Sequence, residues 1–365
     1  MKDRILSIDI LRGLTICFMI IVNTPGSWSH VYAPLLHAKW HGWTPTDLVF
    51  PSFLFVVGLS MFYSFNKASF LTKSEYYIKI TKRAFLIILI GILLNWFPLS
   101  TSLESLRVFG VLQRIGLAFF GAALLVVLFN KSKQLLIMSA LGLMFIHWII
   151  LYTGSDSGPF TLENNIGRYI DIQLVGANHV YEGFGIPFDP EGLLGTLSSI
   201  SQVLIGYLIA MSFYNSNNDK NTYLKQLIGA AVLFIVISYL LNIVYPINKP
   251  LWTGSYVLLS CGVIMLIWSL FIWIIDIREK QDWTYFFKVL GRNPLISYAL
   301  SILIAKSLYS VIKFSNTDAY SWLYENVYQH LLSPKFGSLL FALSITGLVW
   351  IFAYYLDKKN IIIKV

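Results

Sequence analysis

The chain reads as an all-α polytopic membrane protein, a bundle of about ten transmembrane helices, and three observations predict it. Only 12% of its residues are charged, where a soluble domain carries about 25%. Hydrophobic residues make up 56% and gather in runs of about 20, the length that crosses a hydrocarbon layer as a helix. Inside that layer the backbone has no water to bond to, so each run must close its own hydrogen bonds.

The first run, about 5–22, is too long for the apolar core of a signal peptide, and no small-residue cleavage pattern follows it. A retained span is expected. The next four spans are expected near 48–65, 80–97, 108–130 and 135–152. The second half gives 193–214, 227–245, 251–275, 289–309 and 337–356. Two connections are long loops, 153–190 and 310–334. The second carries Tyr320, Trp322, Tyr324 and Tyr328, which suit the headgroup level. No soluble domain separates out, so residues 1–365 form a single transmembrane domain. Cys17 and Cys261 fall within apolar runs and read as small buried hydrophobes.

Basic residues set the orientation. One set of connections and span ends holds Lys2, Arg4, Lys67, Lys73, Lys79, Lys82, Arg83, Lys131, Lys133, Lys220, Lys225, Arg278, Lys280, Lys288, Lys358, Lys359 and Lys364. The other holds Lys39, Arg107, Arg168, Lys249, Lys313 and Lys335. Both termini are therefore expected in the cytoplasm, with the chain threaded through the lipid bilayer. The net charge of +9 belongs to this topology and does not point to nucleic acid.

The polar chemistry concentrates between the first two spans, where three of the six histidines and three of the eleven tryptophans lie. A neutral His37 imidazole can accept a proton or attack as a nucleophile; the bland alternative is a solvated loop. His30, His37 and His41 lack the convergent ligands of a zinc site, with Asp47 the loop's only carboxylate, so no metal is expected. Thr44, Pro45 and Asp47 have the pattern of a helix start. Asp47 could also orient His37 or His41 from behind. Asn23 reads as a helix-end residue, or as an amide that steadies developing negative charge. Asp9 and Arg12 share a helix face, as an internal ion pair or as a phosphate contact, and Gln113 and Arg114 raise the same choice. Arg107 reads as interfacial and Lys306 as snorkelling outward. Asp189 with Pro190 reads as an N-cap opening the sixth span, Asn248 to Trp252 as opening the eighth, and Gly291 to Pro294 as opening the ninth. Carboxylates and amides beside aromatics suit a sugar, and Trp at an interface needs no sugar.

These strings resemble the heparan-α-glucosaminide N-acetyltransferase family, the lysosomal acetyltransferase with its bacterial homologues. The match is carried by Ser7, Asp9, Arg12 and Gly13, then Asn23, then His37, Trp40, Gly42, Thr44, Asp47 and Pro51. Later segments also match: Leu106 to Arg114, Asp189 to Thr196, and Asn248 to Trp252. The resemblance implies transfer of an acetyl group from cytosolic acetyl-CoA to the amine of a glucosamine-type sugar on the outer, periplasmic face. His37 aligns with the family's active-site histidine, as base or transient acetyl carrier. Asn23 aligns beside the reacting acetyl, and Asp47 supports the ring. On this reading Asp9, Arg12, Gln113 and Arg114 line the acetyl-CoA route. Trp40, His41, Asp189, Glu191, Asn248 and Trp252 face the acceptor. The 23–37 loop is a few residues longer than in the lysosomal enzyme, and His41 replaces an asparagine there, which makes it a rival base. A homodimer is one state the resemblance implies. The competing readings are an O-acyltransferase of a surface glycan and a non-enzymatic sugar transporter.

Overall fold

In the computed structural model, which describes residues 5–67, 72–99, 102–216, 219–314 and 316–363, the apolar runs are helices. Lys2, Arg4 and Lys364, counted above for orientation, lie outside the described residues. In chain order the helices are α1 (Leu6–Asn23), α2 (Val49–Lys67), α3 (Lys73–Trp96), α4 (Val111–Leu128), α5 (Lys133–Thr153), α6 (Ile166–Val175) and α7 (Thr196–Asn215). They continue with α8 (Lys220–Leu241), α9 (Gly254–Phe271), α10 (Tyr285–Arg292), α11 (Pro294–Lys306), α12 (Ala319–Leu323) and α13 (Pro334–Lys358). Strands β1 (Lys313–Phe314) and β2 (Thr317–Asp318) form a small antiparallel hairpin.

Among the described residues nine helices are long and apolar enough to cross a membrane. The chain is an all-α polytopic membrane protein. The expected span at 80–97 corresponds to α3, which is 24 residues long but falls outside those nine. Lys73, Glu75, Lys79, Lys82 and Arg83 crowd its first half, so only its second half is continuous hydrocarbon. The expected ninth span, 289–309, starts later, at Pro294. Residues before it form the separate amphipathic α10. The 153–190 connection holds α6, and 310–334 holds the hairpin and α12, so neither is a structureless loop.

Glycines set the closest crossings. A Cβ at Gly58 on α2 would meet Val203 O of α7 at 2.1 Å, and one at Gly206 would meet Phe55 O at 2.2 Å. On the other side of the bundle, a Cβ at Gly13 would meet Phe287 O of α10 at 1.8 Å. Small residues let backbones touch where lipid gives apolar side chains no reason to prefer each other. Leu54, Phe55, Tyr207, Tyr256 and Trp268 fill the interior, with Cys17 and Cys261 buried as free thiols. Exposed Met138 and Phe145 on α5, and Leu233 and Leu240 on α8, give these helices the apolar outward faces a lipid phase requires.

Hydrogen bonds divide the connections between two ends of the bundle. At one end Gly26 N–H donates to Ser338 O and Gly42 N–H to Ile247 O, and Trp40 Nε1–H donates to Phe160 O. This is the histidine end. At the other end Arg12 bonds Gly291 O, Lys131 bonds Phe65 O and Lys220 bonds Asp276 O.

Candidate active site

The histidine loop is pinned before its chemistry begins. Thr44 Oγ1 donates to Leu36 O at 2.6 Å and Thr46 Oγ1 to Pro34 O at 3.1 Å. Pro45 opens a single 3-10 turn, Pro45–Leu48, that runs into α2. Asp47 stands at its third position, and Asp47 Oδ2 accepts the N–H of Thr44 at 2.9 Å and of Ala38 at 3.0 Å. Tyr256 OH donates to Asp47 O from α9. The side chain of Asp47 is 1% exposed, yet that of His37, 2.7 Å away through Nδ1 and Oδ1, is 45% exposed. The helix-start reading and the orienting contact therefore coexist in one residue.

With Oδ2 saturated by donors, Asp47 Oδ1 is left as an acceptor, and His37 Nδ1 must carry the proton between them. His37 Nε2 then carries the ring's lone pair, with Lys249 Nζ 3.5 Å from it. His41 has the opposite arrangement. Asn248 Oδ1 accepts Leu251 N–H at 2.7 Å, which fixes its amide orientation. Its Nδ2 donates to Trp40 O at 3.1 Å and to His41 Nδ1 at 3.2 Å. His41 thus carries its proton on Nε2.

Sequence reasoning missed Lys249. Its Nζ lies 3.3 Å from Asp47 Oδ1 and 3.0 Å from His37 Nδ1, with its side chain 15% exposed. Burial pushes the Lys249 ammonium below the ordinary lysine range, opposed by the carboxylates of Asp47 and Glu191. The available signal was its place beside Asn248, as one of the few basic residues at this end of the bundle.

The other expected residues scatter. Trp40 is half-buried and packs edge-on against Phe184 and Phe188. Asp189 is not an N-cap: α7 starts at Thr196. Arg107 instead clamps it, Nε to Oδ2 at 2.8 Å and Nη2 to Oδ1 at 2.7 Å, and reaches Glu191 Oε2 at 2.6 Å. Arg107 is thus an ion-pair hub rather than an interfacial anchor, and Asp189, with no exposed side chain, offers a sugar nothing. Trp252 is fully buried. It donates to Gln202 Oε1 and lies under the Arg114 guanidinium at 5.0 Å, so it braces the wall.

Gln113 and Arg114 lie in the first turn of α4, about 5 Å along its axis from the start, which places them at the histidine end of the bundle. Gln113 caps Val108 O. Arg114 donates to Gly192 O at 2.7 Å beside a polar cavity of about 20 Å³ lined by His147, Asn165 and Asp171, room for a water. Asp9 and Arg12 do sit at the opposite end. Arg12 bonds Asp9 at 3.3 Å, Gly291 O at 3.0 Å and Ser60 Oγ at 2.6 Å. Asn23 is exposed, and its amide donates to Met19 O of its own helix at 2.8 Å. Lys306 does not snorkel; it caps α3 through Leu94 O and Asn95 O at 2.7 and 3.0 Å. Arg292 pairs with Asp357 and Asn293 holds Ile361 and Ile363, so 291–294 is tied to the chain's end.

Fold and site together define a polytopic helical membrane protein with an imidazole, a carboxylate and an ammonium clustered at one mouth of its bundle. Residues 4–166 match the family model described as heparan-alpha-glucosaminide N-acetyltransferase, catalytic, so this stretch of the chain is similar to that family. It is 27% identical over 352 residues to the heparan-alpha-glucosaminide N-acetyltransferase of Homo sapiens, covering 82% of this chain and 52% of that protein. It is 29% identical over 351 residues to the Mus musculus enzyme of the same name, covering 81% and 53%. The chain spans about half the length of these curated relatives.

Proposed function

We propose that the chain is an acetyl-CoA-dependent N-acetyltransferase that moves an acetyl group across the membrane to the amine of a glucosamine-type sugar. The observation that carries this reading is the exposed His37 imidazole backed by buried Asp47 at 2.7 Å, with its lone pair on Nε2. The names of the relatives support acetyl transfer to a glucosaminide. The acceptor amine attacks the thioester carbonyl; the N–C bond forms, the C–S bond breaks and CoA leaves as thiolate. His37 Nε2 takes the proton the amine loses and returns it to the sulfur. The second N–H of Asn23 meets the carbonyl oxygen as charge builds on it. Trp40, His41 and Glu191 border the sugar, and Asn248 keeps Trp40 and His41 in place. Arg12 at the opposite end takes a phosphate of acetyl-CoA, which is presented from the cytosol in a bacterial inner membrane.

The same lone pair could carry the acetyl group as an acetyl-imidazole before transfer, and trapping acetylated His37 without acceptor separates that route from direct attack. The overall test uses purified protein in liposomes, with labelled acetyl-CoA on one side and glucosamine on the other. Label recovered as the acetamide of glucosamine is the expected result. An ester product would shift the reading to O-transfer. Sugar uptake that needs no acetyl-CoA and survives His37→Ala would make the chain a transporter.

A further inference from the structure

We propose that Lys249 is a positioning residue: its ammonium, shared with Asp47, holds His37 as a neutral imidazole with the proton on Nδ1 and the lone pair on Nε2. The proposal deepens the acetyl-transfer reading and rests on it for its consequence, though not for its test.

Lys249 is held from both sides. Asn248 N–H donates to Thr253 Oγ1 at 3.1 Å, which in turn donates to Pro246 O at 2.8 Å. Trp252 N–H returns to Lys249 O at 2.9 Å. The buried Asn248 side chain ties this turn to the histidine loop at Trp40 and His41. The backbone of Lys249 is therefore locked to the same loop that carries His37. Its Nζ ends 3.3 Å from Asp47 Oδ1, 3.0 Å from His37 Nδ1 and 3.5 Å from His37 Nε2. A tether set from an unrelated part of the sequence, 212 residues away, delivers one charge to one imidazole.

The charges decide what that imidazole can do. A buried carboxylate beside a histidine on its own draws a second proton onto the ring, and an imidazolium has no lone pair to use. Here the carboxylate already has a cation. Adding another positive charge 3.0 Å from the ammonium is opposed by direct repulsion in a partly desolvated site. The groups that bear on the cluster are Asp47 and Lys249 themselves, Glu191 from the turn before α7, which attracts Lys249, Tyr256 from α9, a neutral phenol that donates to Asp47 O, and His41, bonded through neutral Asn248. With Asp47 and Lys249 cancelling, His37 keeps its proton on the Asp47 side and its lone pair outward. The same ammonium repels a protonated acceptor, so the free-base amine is the form admitted.

The test reads the protonation state of His37 without requiring transfer. Diethyl pyrocarbonate modifies only an unprotonated imidazole, and the His37 side chain is 45% exposed. Its rate at the His37 peptide is followed by mass spectrometry across the neutral pH range in native protein, Lys249→Met and Lys249→Arg. Lys249→Met is expected to slow modification of His37 by about tenfold at neutral pH, recovered about one pH unit higher, with Lys249→Arg near native. Acetyl transfer then shows kcat depressed at low pH and KM for acetyl-CoA unchanged. Native or faster modification in Lys249→Met overturns the proposal, as does equal slowing in Lys249→Arg. Lys249→Gln, which removes the charge but keeps a donor, gives the same comparison if the Met variant does not fold. A native protein that modifies as expected but transfers no acetyl group sinks the acetyltransferase reading and leaves this one standing.

Discussion

His37 and His41 sit four residues apart in one loop, yet their neighbours give them opposite tautomers. Asp47 Oδ1 takes the Nδ1 proton of His37, whereas Asn248 donates to Nδ1 of His41. Only the first leaves an outward lone pair. His37→Ala is therefore expected to lower acetyl transfer by about a hundredfold to ten-thousandfold, the range of a lost general base. His41→Asn, which keeps an acceptor for Asn248, is expected to stay within a few-fold of native. Rates of labelled N-acetylglucosamine formation check both, and similar losses in the two variants would move the base to His41. The histidine and its carboxylate were legible because they lie ten residues apart in one continuous motif. Lys249 was not, since nothing local tells a loop lysine which carboxylate it will meet. Trp252 and Asp189 failed for the converse reason: an aromatic and an acid beside a span look the same in sequence whether they face a ligand or a neighbouring arginine.

The connection between α5 and α7 shows how an element changes such an assignment. Asn165 caps α6 by accepting Arg168 N–H at 2.9 Å, and this helix carries Asp171 into the bundle, where Oδ1 accepts Leu193 N–H at 2.9 Å. That bond shapes the 189–195 turn, which in turn receives Arg107 and Arg114. Burial pushes the Asp171 carboxyl up from 3.8 to about 7; the Leu193 bond and Arg114 oppose the shift and Asp189 adds to it. Between those values the folded chain holds a proton that the unfolded chain has released. Stability from this group is thus full below about pH 4 and falls as pH rises through 7, by an amount on the order of 4 kcal/mol. Asp171→Asn keeps the acceptor and removes the ionisation. Thermal unfolding in detergent, compared between the two proteins from pH 4 to 8, is expected to show the native midpoint falling relative to the variant. A constant difference would mean Asp171 does not titrate in that window. The existence of α6 was missed because its ten residues sit among scattered Gly and Asn, which read as loop.

For the whole molecule, the unequal spread of basic residues predicts which end faces the cytoplasm. Lys39 lies exposed at the histidine end and Lys133 exposed at the other, while Cys17 and Cys261 are buried. Lys39→Cys is expected to react with a membrane-impermeant maleimide added outside intact cells, and Lys133→Cys only after the membrane is opened. The reverse pattern would invert the proposed direction of acetyl transfer. The nine membrane-length helices among the described residues were legible because length and hydropathy alone decide whether a segment suits hydrocarbon. The tenth expected span was less so, since α3 mixes charges with apolar turns.

Sequence alone determined that this chain is a helical membrane protein, where its polar loops fall, and that His37 and Asp47 share one motif, because these depend on hydropathy and on residues close along the chain. Tertiary structure decided which charges meet. It brought Lys249 to His37, gave Asp189 to Arg107, placed Arg114 at the histidine end and buried Trp252. Those pairings join segments far apart in sequence, and in a bilayer helix packing, such as the close α2–α7 crossing at Gly58 and Gly206, rather than any local pattern, fixes how spans align.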